Sequence, residues 1–455
     1  MMEREISPLD GRYRGQLAEL PRYFSEFALM KARCEVELSY LKALNRTGLL
    51  PTLSDAEMHR IDRAASAFSE EDFDRIVAID REINHDVKAC EVFLREKLDL
   101  AQPNLIHFGL TSADINNLAC ALLLTRFRDE QQLPLIRSLI ERLVEFVMAW
   151  REIPFPARTH GQTASPTTLG KECAVFLSRL VRQATQLEAH RFRGKLTGAT
   201  GTHAAVVAAF PDHDWIRFSA EFVAALGLEP NRCTTQIEDH DTLAEYFANV
   251  ARINCIVSDL DRDVWEYISH GDLVERAVDR EVGSSTMPHK VNPIRFENSE
   301  GNVTISNALL HALSDRLTQS RMQRDLSDST VKRNIGVALA HSHLAITQTL
   351  RGLERIDADE ADLRRKVESS PEVLTEAYQT ILRAAAIDNP YELFRRLARG
   401  ETLTLDQLHE VVDALPVSDE AKNRMLKLRP TDYVGLAARI CDMVVEDAQR
   451  WLGRS

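Results

Sequence analysis

Glycine and proline are scarce in this chain, at 18 and 16 of 455 residues. Turns are therefore few, and helices are free to run long. Cysteine is thinly scattered. Cys34, Cys90, Cys120, Cys173, Cys233, Cys255 and Cys441 are odd in number and never spaced as C-x-x-C. That distribution signals neither a disulfide framework nor a zinc site. Most read as small buried hydrophobes in a reducing compartment. A basic excess is also missing: 56 Lys and Arg face 69 Asp and Glu, a net charge of −13. The balance argues against a general nucleic-acid or membrane-surface binder. An anionic substrate would need its cations gathered locally. No uncharged run is long enough to span a bilayer, and Met1-Met2-Glu3-Arg4-Glu5 opens no apolar leader, so a cytoplasmic protein is expected. The phosphate-cradling glycine loop, the dinucleotide fingerprint, the H-E-x-x-H motif and the nucleophile elbow are all absent.

What is present is enough apolar residue, 44%, for a large core, in a chain long enough for two or three domains. Turn signals at Pro51 and Pro103-Asn104 break the first part into shorter helices. From Asn116 to Trp150 the apolar spacing is helical, through Ile136, Ile140, Leu143 and Val147, and Pro134 predicts a kink or break within it. Ser165 and Pro166 read as the N-cap and first residue of the next helix. Leu243, Phe247, Val250, Asn254, Val257, Asp261, Val264 and Ile268 alternate steps of four and three, a heptad seam. Ile253, Ile256 and Leu260 form a second stripe off that seam, so this helix should be buried inside a bundle. Asn254 and Asp261 on the seam need partners if buried and are suited to setting helix register. Long helices are also expected over roughly 293–317 and 330–353, followed by shorter segments punctuated by Pro371, Pro390, Pro416 and Pro430. There is no tandem repeat and no alternating strand series. The expected fold is all-α in three helical domains: 1–110, a central long-helix bundle over 111–358, and 359–455.

The segment Gly283-Ser284-Ser285-Thr286-Met287-Pro288-His289-Lys290-Val291-Asn292-Pro293 is unusual in such a chain. Gly283 frees the backbone, Pro288 and Pro293 stop helix from propagating, and Lys290 and Asn292 add a cation and an amide. Hydroxyls, backbone N–H groups and a positive charge brought to one anion suit a reaction that builds negative charge on a carboxylate. An ordinary interhelical loop would show the same turn chemistry.

These eleven residues resemble the signature loop of the fumarase/aspartase superfamily, in particular its adenylosuccinate lyase branch. Other segments resemble that branch in the same order along the chain. They are Ser7 to Tyr13, Asn84 to Ala89, Thr111 to Asn117, Arg158-Thr159-His160-Gly161-Gln162 with Gly170-Lys171-Glu172, Thr234 to Glu238, and Gln323-Arg324-Asp325 through Arg333-Asn334. The resemblance covers nearly the whole chain and is thinnest over the last ninety or so residues.

The resemblance implies a β-elimination that releases fumarate from adenylosuccinate, leaving AMP, and from the related succinyl-carboxamide ribotide. It implies a homotetramer built on the long-helix bundle, each active site drawing on three subunits, and a small nucleotide as substrate; no cluster in the sequence indicates a metal or organic cofactor. Carried over position by position, Ser284 matches the general base and His160 the general acid. Thr111, Ser112, Gln236, Ser285, Lys290 and Asn292 match residues around the succinyl carboxylates. Arg12, Tyr13, Asn84, His85, Asp86, Arg324, Ser329, Thr330 and Arg333 match the nucleotide side, where a guanidinium fork suits phosphate. The chain departs from the branch at Ala113, Thr163, Lys332 and His203, which bears on affinity rather than reaction type. His289 and the Arg12-Tyr13 segment disfavour aspartase and fumarase. A sister lyase, or a silent homologue kept as a structural protein, is the alternative.

Overall fold

The computed structural model describes residues 5–276, 286, 287, 290–398 and 403–453. Near the N-terminus the helix boundaries follow from capping chemistry. Ser25 caps the helix Glu26–Thr47, which ends at Gly48 with φ 68°. Capping boxes open Asp55–Ser66 through Ser54 and Glu57, and Glu70–Ile83 through Ser69 and Asp72. Asn84 ends the latter helix in the left-handed region, and His85 at once caps Asp86–Leu98 by accepting the Lys88 N–H on Nδ1 at 3.2 Å. The apolar faces of these helices meet in a core containing Leu38, Leu41, Ile61, Ile76, Leu94 and Leu98. A separate core near the C-terminus gathers Leu374, Tyr378, Leu382, Leu408, Val412 and Met425.

The long helices are Ser112–Phe127, Leu133–Trp150, Leu169–Ala189, Asp241–Ser269, Ile294–Leu317 and Ile335–Leu353. Among the described residues, strand is confined to eight two-residue pieces in four two-stranded ladders, so the fold is all-α as expected. The break expected at Pro134 takes the form of a π-helical turn, Arg128–Gln132, immediately before it. Pro134 has no N–H for the carbonyl four residues back and its ring crowds that carbonyl; a wider turn relieves both.

Two expectations about helix starts are corrected. Ser165 and Pro166 do not begin a helix: Thr167–Thr168 pairs with Pro154–Phe155 as a short antiparallel ladder, and the helix starts at Leu169. Thr168 Oγ1 accepts the Lys171 N–H at 3.2 Å and takes the capping role. The stretch expected from residue 330 is divided into Ser327–Lys332 and Ile335–Leu353.

The seam on Asp241–Ser269 is buried from Leu243 to Val264, with Ile268 half-buried, and the second stripe of Ile253, Ile256 and Leu260 is buried too. Asn254 donates from Nδ2 to Ser306 Oγ at 3.0 Å and to Asn307 Oδ1 at 2.9 Å, and accepts from Ser342 Oγ at 2.6 Å. Asp261 accepts from Thr349 Oγ1 at 2.7 Å. Burial pushes its carboxyl up to about 8, only partly offset by the Ser299 and Thr349 hydroxyls.

Residue contacts divide the chain into two compact units. The first takes Met1–Leu135, Gln186–Cys255 and Gly301–Ala345; the second takes Ile136–Thr185, Ile256–Glu300 and Ile346–Ser455.

Candidate active site

The first unit contains a cavity of about 640 Å³, a size suited to a nucleotide-sized ligand. Eight of the residues singled out from the sequence line it: Asn84, His85, Asp86, Ser112, Arg324, Ser329, Thr330 and Arg333. The first three are there because they form the corner between two capped helices. Asp86 Oδ2 accepts from Arg33 Nη2 at 2.8 Å, and Arg33 Nε donates to Asn116 Oδ1 at 2.8 Å. Burial alone would raise the Asp86 carboxyl, but the Arg33 charge and hydrogen bond and the Val87 N–H hold it below the usual carboxylate range.

Ser112 is placed by a helix start. Thr111 caps Ser112–Phe127 in a box with Asp114, whose Oδ2 accepts the Thr111 N–H at 2.9 Å. The other Asp114 oxygen holds the glycine-rich loop. Oδ1 meets Lys195 Nζ at 2.8 Å and accepts the N–H groups of Thr197 at 3.1 Å and Gly198 at 3.3 Å. Lys195 and Asp114 are both fully buried, and burial lowers the Lys195 ammonium from its ordinary range against the pull of Asp114. At Gly201, φ is 78° and an added Cβ would stand 1.9 Å from the Thr234 carbonyl oxygen, so only glycine lets the two segments approach. Gln236 is carried on the far side of that approach. Its Nε2 donates to Ala199 O at 2.9 Å, and its Oε1 accepts from Arg324 Nη1 at 3.0 Å.

Ser329 and Thr330 lie in the short helix Ser327–Lys332 and Arg333 follows at its C-terminal end, so two hydroxyls and a guanidinium come from one turn. With Arg324 and Lys332 in the same wall, these three cations line the cavity, as an anionic ligand would need.

Other residues singled out lie elsewhere. Thr111 and Gln236 border the cavity's walls without lining it. Arg12 and Tyr13 lie in an N-terminal turn closed by the Tyr13 N–H on Pro8 O at 2.9 Å, and neither lines the cavity. His160 belongs to the second unit. It is exposed at the tip of the hairpin Arg158–Thr159 and Gln162–Thr163, with φ 53° followed by Gly161 at φ 73°. Arg158 anchors that hairpin through Nη1 on the buried Asp272 Oδ2 at 3.0 Å, while Lys366 Nζ meets Asp272 Oδ1 at 2.9 Å. Lys290 is exposed and Asn292 partly buried, both in the second unit. Ser284 and Ser285 lie outside the described residues.

Reasoning from the sequence missed Arg33 and His240 in the cavity wall, and gave no part to Asn116, Glu238 and Asp328, which lie within the motif segments. One further signal was available: Asp328 and Lys332 are opposite charges spaced by four.

Two solved structures share the fold. A fumarate lyase from Mesorhizobium sp. BNC1 superposes with a TM-score of 0.78 at 21% identity, covering 94% of this chain and 97% of that one. A 3-carboxy-cis,cis-muconate lactonizing enzyme from Pseudomonas putida gives 0.76 at 22%, covering 96% and 98%. The lyase family model matches residues 11–305, so the class is that of the lyases. The adenylosuccinate lyase C-terminal model matches residues 320–434. The adenylosuccinate lyases of Escherichia coli K12 and Haemophilus influenzae Rd are each 43% identical over 445 residues, 96% of this chain and 98% of theirs. That of Legionella pneumophila Corby is 40% identical over 443 residues, 96% of this chain and 97% of its own. The chain belongs to the adenylosuccinate lyase family.

Proposed function

We propose that this chain cleaves adenylosuccinate to AMP and fumarate, and the related succinyl-carboxamide ribotide to its amide and fumarate, in purine nucleotide biosynthesis. The observation that carries this reading is the 43% identity over nearly the whole of both chains, with a nucleotide-sized cavity whose wall holds Arg324, Ser329 and Arg333. In it the monophosphate lies toward those three with Arg12 and Tyr13, while Asn84, His85, Asp86 and Thr330 serve the nucleoside.

Elimination needs two proton carriers on opposite faces of the substrate. Ser284 takes the proton from the succinyl carbon next to one carboxylate. The electron pair left behind delocalises into that carboxylate, which Thr111, Ser112, Gln236, Ser285, Lys290 and Asn292 surround with donors. It then forms the carbon–carbon double bond of fumarate as the carbon–nitrogen bond breaks. His160 gives the departing nitrogen its proton. A serine hydroxyl serves as base only where water is excluded and cationic and N–H groups stabilise the alkoxide, which is the part given to Lys290 and the loop.

The reading also takes the chain as a cytoplasmic homotetramer with shared sites, organised as helical domains over 1–110, 111–358 and 359–455. Among the described residues, no helix is long and apolar enough to cross a membrane. The test is to add purified protein to adenylosuccinate, argininosuccinate, aspartate and malate separately and assay fumarate and the nucleotide product. Adenylosuccinate should be the substrate turned over; better turnover of any of the other three overturns the assignment.

A further inference from the structure

His240 lines the cavity, the proposed reaction gives it no part, and its backbone is strained. It sits at φ 66°, in the left-handed region that residues with a Cβ seldom occupy. Its ring is buried between two carboxylates, with Nδ1 3.4 Å from Glu238 Oε2 and Nε2 3.9 Å from Asp328 Oδ2. Glu238 is already fixed, accepting the His240 N–H at 2.7 Å and Asn231 Nδ2 at 2.9 Å. Asp328, only 7% exposed, accepts from Lys332 Nζ on Oδ2 at 2.9 Å. Neither His240 Nε2 nor Asp328 Oδ1 has a hydrogen-bond partner among the described residues, an unfavourable state for buried polar atoms. Both atoms are shielded, so the imidazole acts on anything in the cavity through Asp328.

The same two segments show what that action is. Gln236 and Arg324 tie them at 3.0 Å, whereas His240 and Asp328, a second facing pair, stand open at 3.9 Å. Asp328 lies in the first turn of the helix Ser327–Lys332, which carries Ser329 and leads into Arg333.

We propose that His240 is a positioning residue: when a nucleotide monophosphate engages Ser329 and Arg333, His240 Nε2–H closes onto Asp328 and locks that helix against the Gln236 segment. The inference rests on the nucleotide reading of the cavity.

Two substitutions separate the ring's two arms. Asparagine tolerates the left-handed backbone and matches the reach of Nδ1, but has nothing at Nε2. Glutamine places its amide where Nε2 was. AMP binding by calorimetry should weaken about tenfold in His240→Asn, the scale of one hydrogen bond to a charged group. In His240→Gln it should change less than about threefold, the range of a substitution that keeps its main contact. The KM for adenylosuccinate should follow AMP affinity, with kcat changed less than about threefold in both. Asp328→Asn keeps the shape, removes the acceptor charge and should behave like His240→Asn, which carries the test if that variant does not fold. Wild-type AMP affinity in both His240→Asn and Asp328→Asn overturns the inference. So does a loss of kcat at unchanged KM, or an equal loss of affinity in asparagine and glutamine variants with a lowered Tm. Wild-type protein that neither binds AMP nor cleaves adenylosuccinate overturns the nucleotide reading, and this inference with it.

Discussion

Burying Lys195 beside Asp114 removes two charges from water, and the 2.8 Å contact is favourable only because the remaining lone pairs and protons are also used. Three backbone N–H groups and the Gly198 carbonyl complete the set. Lys195→Met strands the aspartate and should cost about 3–5 kcal/mol in chemical denaturation, the range for breaking a buried pair. Asp114→Asn should cost less, since burial already favours an uncharged Lys195. The double variant Lys195→Met with Asp114→Asn should recover part of the loss; a double variant no better than Lys195→Met alone would show that the pair is not the issue. If Ser284 is the base, as proposed, Ser284→Ala should still bind adenylosuccinate but lose turnover by at least about 100-fold. Ser285→Ala should lose less turnover and bind more weakly, by about 1.5–3 kcal/mol for one charged hydrogen bond. A dead Ser285→Ala beside an active Ser284→Ala would move the base by one residue. Arg324 and Arg333, which a motif named, line the cavity. Arg33 was not legible in the sequence, because its partners Asp86 and Asn116 lie 53 and 83 residues away and only the packed helices bring them together.

Periodicity made the long helices legible because burial on two sides leaves a pattern that the chain must carry wherever its neighbours come from. The helix Asp241–Ser269 is the clearest case, and its two polar seam positions found partners: Asn254 with Ser306 and Asn307, Asp261 with Thr349. Starts of helices were less legible. Ser165-Pro166 carries a good local start signal, yet pairing of Thr167–Thr168 with Pro154–Phe155 overrides it. Asp261 yields a pH prediction. Its folded value is raised to about 8, so between the ordinary carboxylate range and that value the folded chain holds a proton that the unfolded chain has lost. Stability must then fall as pH rises through that window, by at most about 1.4 kcal/mol per unit. Asp261→Asn removes the titration and should flatten the curve of Tm against pH between about 5 and 8 relative to wild type. Parallel curves for the two proteins would show that Asp261 is ionised in the folded state.

The candidate residues are spread from Arg12 to Arg333, and the cavity gathers only part of them. Its lining comes wholly from the first unit and includes neither His160, exposed on its hairpin, nor Lys290. Exposed apolar side chains, among them Trp265 and Ile294, are left on the long helices. A tetramer whose sites combine residues of different subunits accounts for all three observations, and it has a consequence that a self-contained subunit lacks. Ser284→Ala and His160→Ala should each be inactive alone. If every site takes its serine and its histidine from different subunits, dissociating and reassembling the two in equal amounts gives some sites with both residues intact. Random assortment makes the fraction one half times one half, so about a quarter of wild-type activity should return. The mixture should sediment as the same tetramer as wild type. Sites built within one subunit would always lack one carrier, and the mixture would stay as inactive as its components. No recovery after verified subunit exchange, or a fully active monomer in sedimentation, would therefore rule out the shared-site arrangement while leaving the chemistry of each residue untouched.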